Sequence, residues 1–292
     1  PSPPPPSPPP SPPAASSLAC ARARSRSIRI PARSSPPAHP ALLDWLATEF
    51  MRRNWDMKAM LKLMITSATY RQDSRQQTDD PDNDLLARYS RQRLSAELIR
   101  DNALAVSGLL NRTLGGPSVR PPQPESVIKE AFEAKWNVSD EANQYRRGLY
   151  TFIQRSAPFG QLVTFDFPNN NQACTRRERS NTPLQALTLL NDPVFFSAAQ
   201  ALASRVLQEH GQSDHERLGH AFRLCLARAP QPGELARLAE YLDTQAAILI
   251  NDPEAAKAMA GKTSGDCGLA KRAAWVGVAS VLLNLDEFIT KQ

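Results

Sequence analysis

The sequence lacks a C-x-x-C pair: its four cysteines, Cys20, Cys174, Cys225 and Cys267, lie far apart. That removes zinc ribbons, thioredoxin-type motifs and haem attached through C-x-x-C-H. One or two disulfides among Cys174, Cys225 and Cys267 are allowed by the spacing but not implied by it. No apolar run reaches about 18 residues, so no membrane-spanning helix is expected. The arginines near the start are not followed by an apolar stretch, so no signal peptide is visible. No G-x-G-x-x-G and no β-α-β alternation appear, which argues against a dinucleotide-binding fold. Positive charge is also scarce where it would matter. The formal net charge is +6, but Arg22, Arg24, Arg26, Arg29 and Arg33 supply +5 of it with no acid among residues 1–37. The remainder is close to neutral, so the basic sequence pI belongs to the first 37 residues. A nucleic-acid binder carries its charge on the folded face that meets phosphate, and this body has no such excess.

What is present begins with "PSPPPPSPPPSPP". Proline has no amide donor and a fixed φ, so such a run forms polyproline II and little else. Small residues and arginines follow, with too few apolar groups to offset chain entropy. Residues 1–37 are therefore expected to be disordered, and residues 38–292 to form a mostly helical domain. "HPALLDWLATEFMRRN" and "WDMKAMLKLMITSATYRQ" read as a helical hairpin, with Pro40 in a first turn and Asp56 as a cap. Met57, Met60, Leu61, Met64, Ile65 and Ala68 recur at helical spacing, which predicts a core-facing stripe rather than a soft-metal site. "LSAELIRDNALAVSGLL" is a strong helix with Ser95 as N-cap and Ile99, Ala103, Val106 and Leu110 as its seam. Residues 111–145 read as a long loop with short helical pieces. "RRGLYTFIQRS" and "QLVTFDF" are rich in aromatic and β-branched residues, predicting a small β-hairpin near residues 146–167. After that the pattern is helical over about 183–209, 214–228, 232–250 and 267–285, with Pro183, Pro193, Pro232 and Pro253 at first turns. The fold class expected is mainly α, multi-helix, with one small β element.

Several residues could carry chemistry. His210, His215 and His220 are five apart, and on a 3.6-residue helix such side chains diverge by about 140°. Zinc ligands need i, i+4 spacing, so no metal site is expected. Glu97 and Asp101 are i, i+4 and share a helix face, as a glycosidase-type carboxylate pair would. The simpler reading has them pairing with Arg91, Arg93 or Arg100 to fix the helix start. Asp166 ends the second strand candidate, and Cys174, Arg176, Arg177, Glu178 and Arg179 follow. Arginines there could hold carboxylates, sulfates or phosphates in bidentate fashion, and could make Cys174 a reactive thiol. The competing reading is a loop bolted to the body by Arg–Asp pairs.

Six stretches, in this order, carry a resemblance: "HPALLDWLATEF", "LMITSATYRQDS", "DNDLLARYSRQRLSAELIRDNALAVSGLLNRTLGGPSVRPPQP", "YRRGLYTFIQRSAPFGQLVTFDFP", "CTRRERSNTPLQALTLLNDPVF" and "AAWVGVASVLLNLDEFIT". Together, from about His39 to Thr290, they resemble the planctomycete PSD1 domain, the domain of unknown function 1553. The resemblance implies a long, often secreted bacterial protein with a cytochrome c domain upstream, and a link to degradation of complex, often sulfated, glycans. It supplies no catalytic residues. It also implies a secreted or periplasmic location, upstream domains of the same protein as partners, and haem only if those domains carry it. No cofactor is expected in this chain. The family begins earlier, with N-R-[IVF]-W and F-G-x-G-[LI]-V segments where this chain has proline and arginine. We therefore expect a missing N-terminal portion, with a frameshift or misassigned start upstream of about Ser35.

Three readings stand. The chain is an accessory module for redox-linked or sulfated-glycan processing, or an enzyme acting on polysaccharide through Glu97, Asp101 or Asp166 with Arg176, Arg177 and Arg179 binding anions, or a structural domain.

Overall fold

The computed structural model describes residues 37, 39–74, 80, 83–123, 136–155, 158–209, 213–265 and 267–291. The expected disorder of residues 1–36, together with Cys20 and His210, lies outside them. The chain forms two compact units, one ending at Arg71 and the other running from Gln72 to Gln292.

The first unit holds α1 (Pro40–Arg52) and α2 (Met57–Ile65). Pro40 opens α1, where its missing N–H has no bond to lose. Asp56 caps α2, accepting from the Ala59 amide at 3.0 Å. The four-residue link, Arg53 to Asp56, uses left-handed backbone at Asn54 and Trp55 (φ 52° and 63°). The methionine stripe differs from expectation. Only Met60 is buried, while Met57, Leu61, Met64 and Ile65 are exposed, as are Leu42, Leu43, Trp45 and Trp55. Two short helices have too little surface to enclose both of their apolar faces.

The second unit continues with β1 (Gln92–Arg93), α3 (Ala96–Ser107), α4 (Glu141–Gln144), a 3-10 turn (Gly148–Tyr150), α5 (Gly160–Thr164), α6 (Pro183–Asn191), α7 (Pro193–Glu209), α8 (Asp214–Leu226), α9 (Pro232–Ile250), α10 (Pro253–Ala260), α11 (Leu269–Leu283), α12 (Asp286–Ile289) and β2 (Thr290–Lys291). Pro183, Pro193, Pro232 and Pro253 each open a helix as their sequence positions predict. Residues 183–209 break into two helices at Asp192, whose Oδ1 accepts from the Val194 amide at 2.9 Å and caps α7. Ser95 is the residue before α3, but its side chain makes no capping bond.

α11 is the centre of the core. Ala273 through Ala279 and then Leu282 and Leu283 are buried, so this helix is enclosed on nearly every side. It lies against α7, α9 and α10, and α3 packs on α7. Trp275 is 1% exposed, and fully burying one such large apolar side chain contributes about 3 kcal/mol or more.

The chain is mainly α with a small β element, as the sequence predicts, but the β pairing is elsewhere. β1 and β2 pair antiparallel with Arg93 opposite Thr290, joining segments nearly 200 positions apart. Among the described residues the expected hairpin near residues 146–167 does not form. Val119 and Thr151 form a parallel bridge, with the Val119 amide donating to Tyr150 O at 2.8 Å and the Phe152 amide to Val119 O at 2.7 Å. "GQLVT" is α5. The aromatic residues that suggested strands serve packing instead. Arg146 stacks on Tyr150 at 4.0 Å, Arg120 on Phe152 at 4.1 Å, and Phe159 on Trp136 at 5.9 Å. Gly148 sits where a Cβ would lie 2.9 Å from Glu97 Cα, so no larger residue fits without moving α3.

Arg228 ties the start of α9 to α12, donating to Glu234 at 2.7 and 2.8 Å and to Glu287 at 2.6 and 3.0 Å. The guanidinium holds the Glu234 carboxyl at about 2, against an ordinary 4.5. A carboxylate with a lowered folded pKa stabilises fully above its unfolded value and loses that stabilisation as pH falls toward the folded value. Chemical denaturation from pH 7 to pH 2 should therefore show Glu234→Gln less stable at pH 7, by about 1 kcal/mol or less because the pair is partly exposed. That gap should close between about pH 4.5 and pH 2, and parallel stability curves would count against the clamp.

Candidate functional site

The segment after α5 turns back through Asp166, a non-glycine residue in left-handed backbone (φ 60°). Aspartate tolerates this conformation better than most side chains. The turn aims the carboxylate at the far end of the basic loop. Oδ2 accepts the Ser180 amide at 2.8 Å, Oδ1 accepts the Ser180 hydroxyl at 2.8 Å, and Gln185 Nε2 approaches Oδ2 at 3.4 Å. Arg93 from β1 pairs with Oδ2 and also donates to Phe165 O at 3.2 Å. One carboxylate thus joins β1, the end of α5 and the start of α6. Burial alone would raise its pKa, but Ser180, Arg93 and Gln185 outweigh that and hold it below the usual range. Asp166 is ionised at neutral pH, the state of an anchor rather than of a general acid.

The basic knot between these points is partly fastened. Arg177 Nη1 donates to both oxygens of Glu97 at 2.8 Å, with its guanidinium 5.5 Å from the Phe167 ring. Arg179 Nη1 donates to Gln92 Oε1 at 2.7 Å. Arg176 is exposed and makes no hydrogen bond or ion pair with another described residue. A cleft of about 550 Å³ opens here, lined by Asp166, Phe167, Gln172, Cys174, Arg176 and Arg177 among others. Cys174 is an exposed free thiol beside it. Cys225 is also a free thiol, and burial pushes it up to about 12, which leaves it inert.

Glu97 and Asp101 share a helix face but not a site. Glu97 goes to Arg177. Asp101 is buried, accepting the Gly148 amide at 2.6 Å and Arg147 Nε at 3.0 Å. Neither lines the cleft, although Glu97 borders it through Arg177. Their partners come from distant segments, not from the neighbouring arginines the sequence suggested. Arg91 pairs with Asp286, and Arg93 with Asp166.

Arg100 has a role that the sequence did not signal. Its side chain is fully buried, donating to Gln161 Oε1 at 3.0 Å and Gln144 O at 2.7 Å. Gln161 in turn donates to Asp192 Oδ1 at 3.0 Å. Burial lowers the guanidinium to about 10. Burial likewise raises Asp192, against bonds from Val194 and attraction to Arg100. Two buried glutamines, Gln161 and Gln185, bridge these networks, and no spacing rule marks such residues in advance. Of the expected histidines, His220 lies 3.5 Å from Glu209. Among the described residues no group of three His, Cys, Asp or Glu is placed to hold a metal, and no helix is long and apolar enough to cross a membrane.

The family model described as PSD1, protein of unknown function (DUF1553), matches residues 31–242. That span includes α1 through most of α9 and the whole basic cleft. The chain belongs to this family. The resemblance seen in "AAWVGVASVLLNLDEFIT" lies beyond the matched residues. No curated protein and no solved structure matches the chain.

The two kinds of anchor should separate on mutation. Arg93 is 8% exposed in its side chain, so Asp166→Ala leaves a buried guanidinium without its counter-ion and should cost about 3 kcal/mol in chemical denaturation. Arg177 is 44% exposed, and Arg177→Ala should cost under about 1 kcal/mol. Equal losses would mean that the loop is held as one rigid block.

Proposed function

We propose that the chain is a non-catalytic accessory module of a secreted bacterial protein, holding an anionic glycan through the cleft beside the basic loop. One observation carries this reading: Arg176 has no partner among the described residues, at a cleft where Asp166 is already neutralised and Glu178 is the one open carboxylate of the lining. Asp166 is matched by Arg93 and Ser180, and Glu97 by Arg177. An incoming sulfate or carboxylate would meet Arg176 first, and Arg177 could share it from Glu97. Planar guanidinium groups suit both anions. The amides of Asn169 and Gln172 line the same cleft and can serve sugar hydroxyls. Catalysis on a polysaccharide would ask for a carboxyl held protonated near neutral pH, and Asp166 is pulled in the other direction.

Affinity electrophoresis in gels containing a sulfated galactan, a polyuronate or a neutral glucan tests the proposal. The wild-type chain should be retarded by at least one anionic polymer and not by the neutral one. Arg176→Ala should weaken that retardation about threefold to tenfold, the worth of one charge-assisted contact. The arginines of residues 1–37 are identical in both proteins, so the difference reports the loop alone. Retardation unchanged by Arg176→Ala, or equal retardation by the neutral glucan, would sink the reading.

A further inference from the structure

A second and larger cleft, of about 880 Å³, lies on the outer face of α7. α7 has two distinct faces. Val194, Phe195, Ala198, Ala199, Leu202, Ala203, Val206 and Leu207 are buried in the core. The opposite face presents Ser197, Gln200, Ser204 and Gln208 at intervals of three and four, and these form the floor of the cleft. Its rims are two helix ends, each closed by a glycine in left-handed backbone. They are Gly108 after α3 (φ 81°) and Gly261 after α10 (φ 52°). A Cβ on Gly261 would lie 2.5 Å from Gln200 Nε2, so the glutamine amide is fitted against bare backbone. Helix C-termini ordinarily draw cations through their open carbonyls. Here those acceptors are taken. Ala105 O accepts the Gly108 amide, Val106 O accepts Arg205 Nη1, Met259 O accepts Gln200 Nε2, and Ala260 O accepts the Thr263 amide.

The charges in the cleft divide in the same way. Arg205 and Glu209 satisfy each other at 2.9 and 3.0 Å. Arg112 and Lys262, from different loops, make no hydrogen bond or ion pair with another described residue, and Glu141 is the one further acid in the lining. The open charged groups are therefore two cations and one carboxylate, Glu141, over a floor of amides and hydroxyls, with apolar wall beside it from Ala105, Leu109 and Ala201. Amides and hydroxyls donate and accept in turn, matching vicinal hydroxyl groups. The volume falls within the usual range of small-molecule sites.

We infer that this cleft binds a hydroxyl-rich small molecule bearing an anionic group, with Arg112 and Lys262 taking the anion and the α7 stripe taking the hydroxyls. The inference is independent of the basic-loop cleft, which shares none of these residues.

Calorimetric titration of the full chain with glucuronate, glucose 6-phosphate and glucose tests it. At least one anionic sugar should bind saturably, and the pair of them tells carboxylate from phosphate. Glucose should bind at least about tenfold more weakly, since it leaves both cations unmatched. The double variant Arg112→Glu/Lys262→Glu should lose at least about tenfold in affinity. Arg112→Gln/Lys262→Gln should lose part of it, and it serves if the reversal disturbs folding as read by circular dichroism. Arg176→Ala should leave binding unchanged. No saturable binding of either anionic sugar overturns the inference. So does binding indifferent to both double variants, or binding lost in Arg176→Ala, which would place the ligand in the other cleft.

Discussion

A guanidinium with no exposure to water must find its partners inside the protein, and Arg100 dictates much of how the second unit is assembled. The charge is kept at neutral pH, so its surroundings have to supply acceptors and a counter-charge. Gln144 O, Gln161 Oε1 and, through Gln161, Asp192 provide them. Those residues lie before the 3-10 turn, at the start of α5 and at the start of α7. Asp192 is also the cap that breaks one long apolar run into α6 and α7. The next residue along, Asp101, fixes the 3-10 turn by accepting Gly148 N and Arg147. Two consecutive positions of α3 thereby locate α5, α7 and the loop before them.

The same logic runs outward with declining strength. Arg93 and Asp166 form a mostly buried pair that closes the ends of the basic loop onto β1. Arg177 with Glu97, and Arg179 with Gln92, hold its middle at the surface, where water weakens each contact. A loop anchored firmly at its ends and loosely in its middle keeps a defined place while its outermost residue, Arg176, stays open. Binding asks for that combination, because a preorganised loop loses little entropy when it takes a ligand. The arginines that pair with acids and the one that does not are consecutive or nearly so, and only tertiary position separates them.

The sequence is informative about where helices begin and poor about which charges meet. Pro183, Pro193, Pro232 and Pro253 mark first turns because a missing amide is harmless there and nowhere else in a helix. The capping acids Asp56 and Asp192 are legible for the same local reason. The aromatic stretch at 146–167 misleads, because aromatic and β-branched residues report a demand for packing surface, not a commitment to strand. Arg120, Arg146 and Trp136 meet that demand without a sheet. The two segments that do pair as strands, 92–93 and 290–291, are too short and too far apart to signal themselves. The methionine stripe shows a different limit: periodicity reveals that a face is apolar, not that anything covers it. The acids Glu97 and Asp101 were legible as members of ion pairs, but Arg177 and Arg147, their partners, are visible only in the fold.

Both clefts arise from a shared economy in the use of charge. The body has nearly equal numbers of acids and bases, and three acids near the clefts are already met by an arginine: Asp166 with Arg93, Glu97 with Arg177, Glu209 with Arg205. The charged side chains left over are Arg176 and Glu178 in one cleft, and Arg112, Lys262 and Glu141 in the other. A near-neutral chain can therefore present a locally positive hollow at the second cleft, and a single open guanidinium at the first, without a net charge that would bind polyanions at large. Selectivity then falls to the neutral donors and acceptors around each cation. Near Arg176 these are loop amides beside Phe167. Under Arg112 and Lys262 they are the ordered stripe of α7, whose spacing is fixed by the helix and whose opposite face is the protein core. The second site is thus the more rigid of the two, since α7 cannot shift its polar face without disturbing the packing of α3 and α11 against it.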